Sequence, residues 1–443
     1  MVKESGETIE GLTGPGCVDD RLSVHRRSFL EEAYRAFACG RQDPTRSADM
    51  KESEFSHLLK LIYYQRPISR TALSEQLDLS LGYVSLLVKR LQEDGFLVEG
   101  GFAESSGGRR RIHLQLNPEL AHLVGVDFGT ANIRVVVTDF LGKVLSFEKS
   151  PSATYRGKDS SLQLVCDQVN AYCKEDPAIR AIGVSHSGVI NHEEGTVLFW
   201  PRVQGWERVP IKAILEQVCG KRTLVEDSSR TMALAEQQFG EGKGIKNLVH
   251  VSVGMGIGSA VFANGRLCLG HKGLAGELGH ITIDEDGELC SCGNRGCLEV
   301  FASGSAMIEK VRSALRKGVI SSLTAQEGSA LTIESIVAAG RAGDRLSQNV
   351  ISEAGTHLGT ALADIVNLLN PQKIILGGAV PQVAQNLLME PLMLSLRQRA
   401  FSHSVHDLEV VVSRLGEEAS AVGAALLVAE KVLEEELSRK VDR

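Results

Sequence analysis

Residues 276–299 read GELGHITIDEDGELCSCGNRGCLE. Three cysteines fall in a C-x-C-x4-C cluster, Cys290, Cys292 and Cys297, and His280 lies ten residues before the first of them. Three thiolates and one imidazole complete a tetrahedral zinc shell, and the glycines around them let the backbone turn tightly enough to gather them. A shell of four protein ligands leaves no position for water or substrate, so the expected Zn2+ is structural. Glu277 precedes the histidine by three residues and Glu299 follows the last cysteine by two, so the metal would hold a loop that presents acids. The competing reading is a chance crowding of cysteines beside an ordinary loop histidine.

The rest of the chain narrows the setting. Its 443 residues provide for two or three domains, each with its own core. No apolar run is long enough for a membrane span, and no apolar signal region follows the first charges. The nine cysteines are an odd number, and outside the cluster they are scattered, which suits free thiols in a reducing cytoplasm. A net charge of −7 argues against a basic coat, although one small module can carry a nucleic-acid contact while an acidic domain dominates the sum.

Residues 1–50 are weakly patterned and are expected to be a flexible extension, with Met50 a candidate native start. Organisation begins at residue 51. Phe55, Leu58, Leu59 and Ile62 share one helical face, Pro67 ends that helix, and residues 70–77 form a second. Ser80 is placed to cap a third helix, which stops at Gly95. Within it Val84, Leu87, Val88 and Leu91 face the core, leaving Leu81, Ser85 and Lys89 on the opposite side. Two strands follow, joined by a glycine- and serine-rich tip beside Arg109, Arg110 and Arg111. This order predicts a winged helix-turn-helix over residues 51–118. Ser80, Leu81, Tyr83, Ser85 and Lys89 would enter the major groove, and the three arginines would reach phosphates or the minor groove. A small helical protein-interaction domain with a solvated arginine run is the alternative.

Beyond residue 118, strand-like runs at 123–126, 133–137 and 181–185 and a helical run at 160–172 precede a second strand-rich block opening at Leu248. Long helical patterns at 350–369 and 418–435 are separated by short strands at 373–376 and 408–412. Two similar α/β lobes around a cleft are expected.

The cysteine loop resembles the signature of the ROK family of sugar kinases and sugar-responsive repressors, roughly G-E-x-G-H followed by C-x-C-G-x-x-G-C-x-E. The resemblance runs over about residues 123–425. It implies a two-lobed, ribonuclease-H-like, actin-type ROK domain, placed here at residues 119–435 and followed by a short tail at 436–443. It also implies that the winged module binds DNA.

Measured against the kinases of that family, the machinery is altered. Their first phosphate turn reads roughly D-x-G-G-T-K, where this chain has Asp127, Phe128, Gly129, Thr130, Ala131 and Asn132. The second turn keeps Gly254, Gly256 and Gly258 but carries Met255 in place of threonine. Their E-N-D-A-N segment, whose Asp removes the sugar hydroxyl proton, aligns Ser228 with that Asp. Serine is no base near neutral pH without an activating partner. Asp227 sits one residue earlier and would need a bulge to take its place. The resemblance makes Glu277, His280, Glu299, Arg202 and Asp227 the candidate sugar contacts. Carboxylates suit paired hydroxyls, and Arg202, where the family has asparagine, favours an anionic ligand. Alternatively, the acids only support the metal loop.

The expectation is therefore a cytoplasmic DNA-binding repressor of carbohydrate-utilisation genes. It would act as a homodimer or homotetramer on a palindromic operator and be governed by a sugar, sugar phosphate or sugar acid, with no catalytic residue and no membrane partner. The rival is an active ATP-dependent sugar kinase with an appended DNA-binding domain.

Overall fold

Punctuation residues set the N-terminal module. In the computed structural model, which describes residues 52–65, 67–102, 112–152, 157–200, 203–326 and 331–441, Pro67 lies just past the helix Glu52–Gln65. Ser69 and Ser80 then cap the helices Arg70–Leu77 and Leu81–Glu93, their hydroxyl oxygens accepting from Ala72 N and Tyr83 N, each at 3.2 Å. Between the two helices Asp78 turns the chain in the left-handed conformation. Leu58, Leu59, Ile62, Leu73, Val84, Leu87 and Leu91 bury the inner faces. Strands β1 (Ile68–Ser69), β2 (Leu97–Phe102) and β3 (Ile112–Leu116) form an antiparallel sheet in the order β1-β3-β2. The two-residue β1 carries no sequence signal of its own and is formed by pairing with β3. The tip of the hairpin, with Arg109, Arg110 and Arg111, lies outside the described residues.

Two five-stranded sheets follow, and they share one topology. The first is β11-β7-β4-β5-β6, from β4 (His122–Phe128), β5 (Asn132–Thr138), β6 (Val144–Pro151), β7 (Ile179–His186) and β11 (Arg222–Asp227). The second is β14-β13-β12-β15-β16, from β12 (Leu248–Val253), β13 (Ile257–Ala263), β14 (Arg266–Leu267), β15 (Lys373–Gly377) and β16 (Glu409–Val412). In each sheet the first strand pairs antiparallel with the second and parallel with the fourth, so the lobes are structural duplicates. The glycine turns at 129–131 and 254–256 occupy the equivalent hairpin in each lobe. A small sheet of β8 (Val189–Asn191), β9 (Thr196–Phe199) and β10 (Glu207–Val209) projects from the first lobe. The two-lobed, actin-type α/β architecture is thus present behind a winged helix-turn-helix.

Two features depart from the sequence reading. A helix at Ala379–Arg399 fills the stretch between β15 and β16, with Pro391 inside it and Val380, Leu388, Leu392 and Leu396 buried against the helix Arg345–Leu369. The C-terminal helix, Ala419–Val441, also runs straight through residue 435, where a tail was expected to begin. It packs on β4, β7 and the helix Ser228–Phe239 of the first lobe and on Glu52–Gln65 of the winged module. Gly183 and Gly423 permit the close approach, since a Cβ at either would meet a facing carbonyl oxygen, that of Ala424 or of Thr231, at 1.7 Å.

That helix ties the module to the lobe. Lys60 Nζ lies 2.8 Å from both Glu430 Oε1 and Glu434 Oε1, and the Tyr64 hydroxyl donates to Glu430 Oε2 at 2.8 Å. Near its far end Lys440 donates to the Asp94 carbonyl and sits over the Phe96 ring, 4.7 Å from the centroid. Residues 52–443 accordingly cluster as one unit, and the expected boundary at 118/119 is a joint within a packed body. No described helix is long and apolar enough to cross a membrane.

Candidate functional site

The loop quoted first is a knuckle. Cys290 N donates to Asn294 O at 2.7 Å and Gly293 N to Cys290 O at 3.0 Å, which brings the second and third cysteines back on the first. Gly296 is required there, because its φ of 65° is left-handed and a Cβ would lie 1.5 Å from the Asp284 carbonyl oxygen. His280, Cys290, Cys292 and Cys297 each offer a ligand atom within 4.8 Å of the others. Cys290 Sγ lies 3.6 Å from His280 Nδ1 and Cys292 Sγ 3.7 Å from Cys297 Sγ. Tetrahedral zinc–sulfur bonds of about 2.3 Å give edges of about 3.8 Å, so both the spacing and the donor set fit one zinc ion.

The knuckle places both acids. Glu277 is exposed and precedes the short 3-10 turn Leu278–His280, while Cys297 precedes the helix Leu298–Ala302 that carries Glu299. Glu299 is buried, and its Oε2 accepts the Ile257 N–H at 3.0 Å, pinning the second glycine turn to the metal loop. Beside that turn opens a cavity of about 460 Å3, whose lining includes Met255, Glu288, Glu299, Ser305 and Arg312.

Asp227 ends β11 and caps the helix Ser228–Phe239, accepting the Ser229 N–H at 2.8 Å. Burial pushes its carboxyl up to about 6, with the charges of Glu226 and Glu277 adding to the rise. Asp227 and Glu277 thus lie within electrostatic reach of one another. Ser228, which the sequence comparison aligns with the kinase base, is the first residue of the helix. Arg202 lies outside the described residues.

Beneath them is a buried ionic group that the sequence reading missed. Arg230 is 3% exposed, and its Nη1 lies 3.0 Å from Glu226 Oε1. Its Nη2 donates to the carbonyls of Gly273 and Ala275, both at 2.8 Å. His192 adds Nδ1 at 3.1 Å from Glu226 Oε1 and donates from Nε2 to the Gly273 carbonyl at 2.8 Å. The hydrogen bond with Glu226 raises the His192 pKa against the effect of burial. For Glu226 burial pushes upward, and His192 and Arg230 overcome it, holding the carboxyl below the usual range. Residues of the first lobe thereby grip the loop that leads to Glu277. The available signal was an arginine four residues after Glu226, at the start of a helix that buries it beside Ala233.

Asp127, at the first glycine turn, is also fully engaged. Its Oδ2 accepts from Arg134 Nη1 at 2.9 Å, and its Oδ1 from Ser420 Oγ at 3.0 Å and Ser185 Oγ at 3.3 Å. Burial raises its pKa, and these partners oppose the rise. Arg134 Nε reaches Glu417 Oε2 at 3.5 Å, which is paired in turn with Lys149. Ser420 belongs to the C-terminal helix, so the cleft and the helix that holds the winged module share a hydrogen bond.

On that module Leu81, Gly82, Leu86 and Lys89 are exposed along the outer side of the helix Leu81–Glu93. Ser85 is half-buried and donates its hydroxyl to the Leu81 carbonyl at 2.6 Å. The Tyr83 hydroxyl donates to Glu54 at 2.5 Å, which directs it away from a groove and toward the first helix. Ser80 serves as the cap.

Comparison with known proteins places this geometry. The sequence model of the ROK family matches residues 123–431. A xylose repressor of Caldicellulosiruptor bescii is 32% identical over 381 residues, covering 85% of this chain and 95% of its own. The DNA-binding transcriptional dual regulator NagC of Escherichia coli (strain K12) is 31% identical over 387 residues, covering 87% and 94%. Among solved structures, a ROK family transcriptional regulator homologous to the E. coli MLC protein superposes with a TM-score of 0.72 at 29% identity, covering 88% of this chain and 98% of its own. A ROK family glucokinase from Streptomyces griseus, in complex with glucose and AMPPNP, gives 0.61 at 29% identity over 69% and 99%.

Proposed function

This chain belongs to the ROK family, and on that premise we propose that it is a sequence-specific DNA-binding repressor of carbohydrate-utilisation genes, acting in the cytoplasm, whose kinase-like domain senses a sugar or sugar derivative. The observation that carries the reading is the single helix Ala419–Val441. Ser420 at one end bonds Asp127 in the cleft, and Lys440 near the other holds the Asp94 carbonyl just past the recognition helix. A ligand that biases the lobes changes what that helix packs on, so ligand and DNA affinities are coupled reciprocally.

Loss of phosphoryl transfer is part of the proposal. A kinase positions nucleotide phosphates and a carboxylate base against the sugar hydroxyl. Here Ser228 stands at the base position, and Asp127 is bound to Arg134 instead of facing a nucleotide. Glu277 and Asp227 would supply acceptors for sugar hydroxyls, and an Arg202 contact would favour sugar phosphates or acids. The Cys/His cluster would hold one structural Zn2+ through His280, Cys290, Cys292 and Cys297, fixing Glu299 on the glycine turn. A dimer would set two recognition helices about one helical turn apart on a palindromic operator.

The test is binding of the full chain to duplexes selected from a randomised pool, with and without xylose, other neutral sugars, sugar phosphates and sugar acids. ATP consumption is followed in parallel. Selective DNA binding modulated by one of these ligands, with no turnover, is expected. Turnover in the usual kinase range of about 1–100 per second would replace this reading with that of an active kinase.

A further inference from the structure

The outward face of the helix Leu81–Glu93 is short of the side chains that usually read bases. Leu81 is 50% and Leu86 54% exposed. At 100° per residue they flank a midline occupied by Ser85, Lys89 and Gly82. Bidentate reading of guanine needs arginine or lysine, and that of adenine needs asparagine or glutamine. In the N-terminal half of this face, residues 81, 82, 85 and 86, none of these is present. Lys89 lies a turn further on, 3.8 Å from Glu93, where a phosphate is within reach. Ser85 has spent its only proton on the Leu81 carbonyl and can offer only lone pairs outward. A Cβ built at Gly82 would meet nothing within 4 Å, so this side of the helix can approach the base edges closely.

We propose that Leu81 and Leu86 are specificity-determining residues that pack on thymine C5-methyl groups in the major groove, giving this chain a half-site read chiefly by apolar contact. The major-groove edge of an A·T pair presents one methyl, one N6–H2 donor and two acceptors. The leucines take the methyls, and the Ser85 lone pairs accept from an adenine amino group. A single exposed leucine on a surface is ordinary. Here two of them frame the residues of a winged helix-turn-helix that would enter the groove, and the polar residue between them is a pure acceptor.

The inference rests on the DNA-binding reading above, and the experiment separates the two. Duplexes are selected from a randomised pool with the full chain, then remade with deoxyuridine for each thymidine of one half-site, which removes the methyl and leaves the pairing edge intact. Each contacted methyl should weaken binding about fourfold, the equivalent of one buried methylene. Leu81→Ala and Leu86→Ala, both at exposed positions, should abolish sensitivity to the substitution at one thymidine each. Selected binding that changes by less than about twofold on full deoxyuridine replacement would overturn the leucine assignment while leaving the repressor reading intact. Failure to select any sequence would remove both.

Discussion

Replacing Arg230 by methionine isolates the buried cross-lobe grip. The guanidinium is 3% exposed, contacts Glu226 at 3.0 Å and donates to the Gly273 and Ala275 carbonyls. Removing one partner of a buried pair costs about 3–5 kcal/mol, because the other charge stays buried. His192 remains 3.1 Å from Glu226, so the low end applies at acidic pH. The pH dependence has a definite sign. The His192 pKa is raised in the fold, so its contribution is complete below the unfolded value of about 6.5 and is lost as pH rises through the folded value. Glu226, held low, stays ionised across this window. The variant should therefore lose about 3 kcal/mol near pH 6 and more near pH 8. With a urea m-value of about 2–3 kcal/mol/M, the midpoint falls by about 1–1.5 M at the lower pH. Urea unfolding followed by both far-UV circular dichroism and tryptophan fluorescence would measure it and check two-state behaviour. The double variant Glu226→Leu/Arg230→Met should recover much of the loss, since it leaves no unpaired charge. A midpoint shift below about 0.3 M, or strict additivity in the double variant, would refute the claim that these groups form a buried unit.

Other outcomes follow from other parts of the molecule. The purified chain should carry about one zinc per polypeptide by metal analysis, and Cys290→Ser should lose it and lower the melting temperature, since binding to the folded state alone stabilises it. Asp227→Asn keeps a capping side chain and removes a carboxyl whose pKa rises from 3.8 to about 6. A raised value favours the protonated form in the fold, so the cost is absent below about pH 3.8 and complete above about 6. The variant should gain up to about 3 kcal/mol at pH 7.5 and nothing near pH 4, read from urea midpoints. Lys60→Met should cost about 1 kcal/mol, because its bridges to Glu430 and Glu434 are partly exposed. The loss should show as faster amide exchange in residues 52–65 with the lobes unaffected, and unchanged exchange there would count against the brace.

What the sequence revealed and what it hid have a common physical basis. The metal ligands span 18 residues, and their spacing is a local property, so cysteine counting reached them. The winged module was legible for the same reason, since Ser80, Pro67 and Gly95 act on their own neighbours. The lobe strands stood out as apolar runs. The helix Ala379–Arg399 did not, because Pro381 and Pro391 sit in it and its burial against Arg345–Leu369 leaves little contrast between its faces. The run EKVLEEELSRKV reads as a charged end, yet Glu430, Glu434 and Lys440 have their partners more than 340 residues away in sequence. Glu299 was picked out as an acid near the metal, but its bond to Ile257 N belongs to tertiary structure. The same holds for Arg230, whose carboxylate partner is only four residues away but whose carbonyl partners Gly273 and Ala275 are brought near by the fold.

Three positions near the cleft bear on the proposed loss of catalysis. At Asp127 a carboxylate beside a glycine turn has been given Arg134 and two serine hydroxyls as partners. At Glu226 another has been given Arg230 and His192. At residue 228, proposed to stand where the kinases carry their base, a serine starts a helix. Both carboxylates are thus engaged by the protein's own side chains. An enzyme gains rate only from interactions stronger in the transition state than in the ground state. Under the proposed loss of phosphoryl transfer, ligand binding energy would act on the equilibrium between lobe arrangements. Coupling typical of allosteric proteins, about 1–3 kcal/mol, is comparable to the Lys60, Tyr64 and Lys440 contacts that hold the winged module to the last helix. In the proposed repressor, Ser420 at the cleft and Lys440 at the winged module lie on one helix, which offers a direct route for passing occupancy from one to the other.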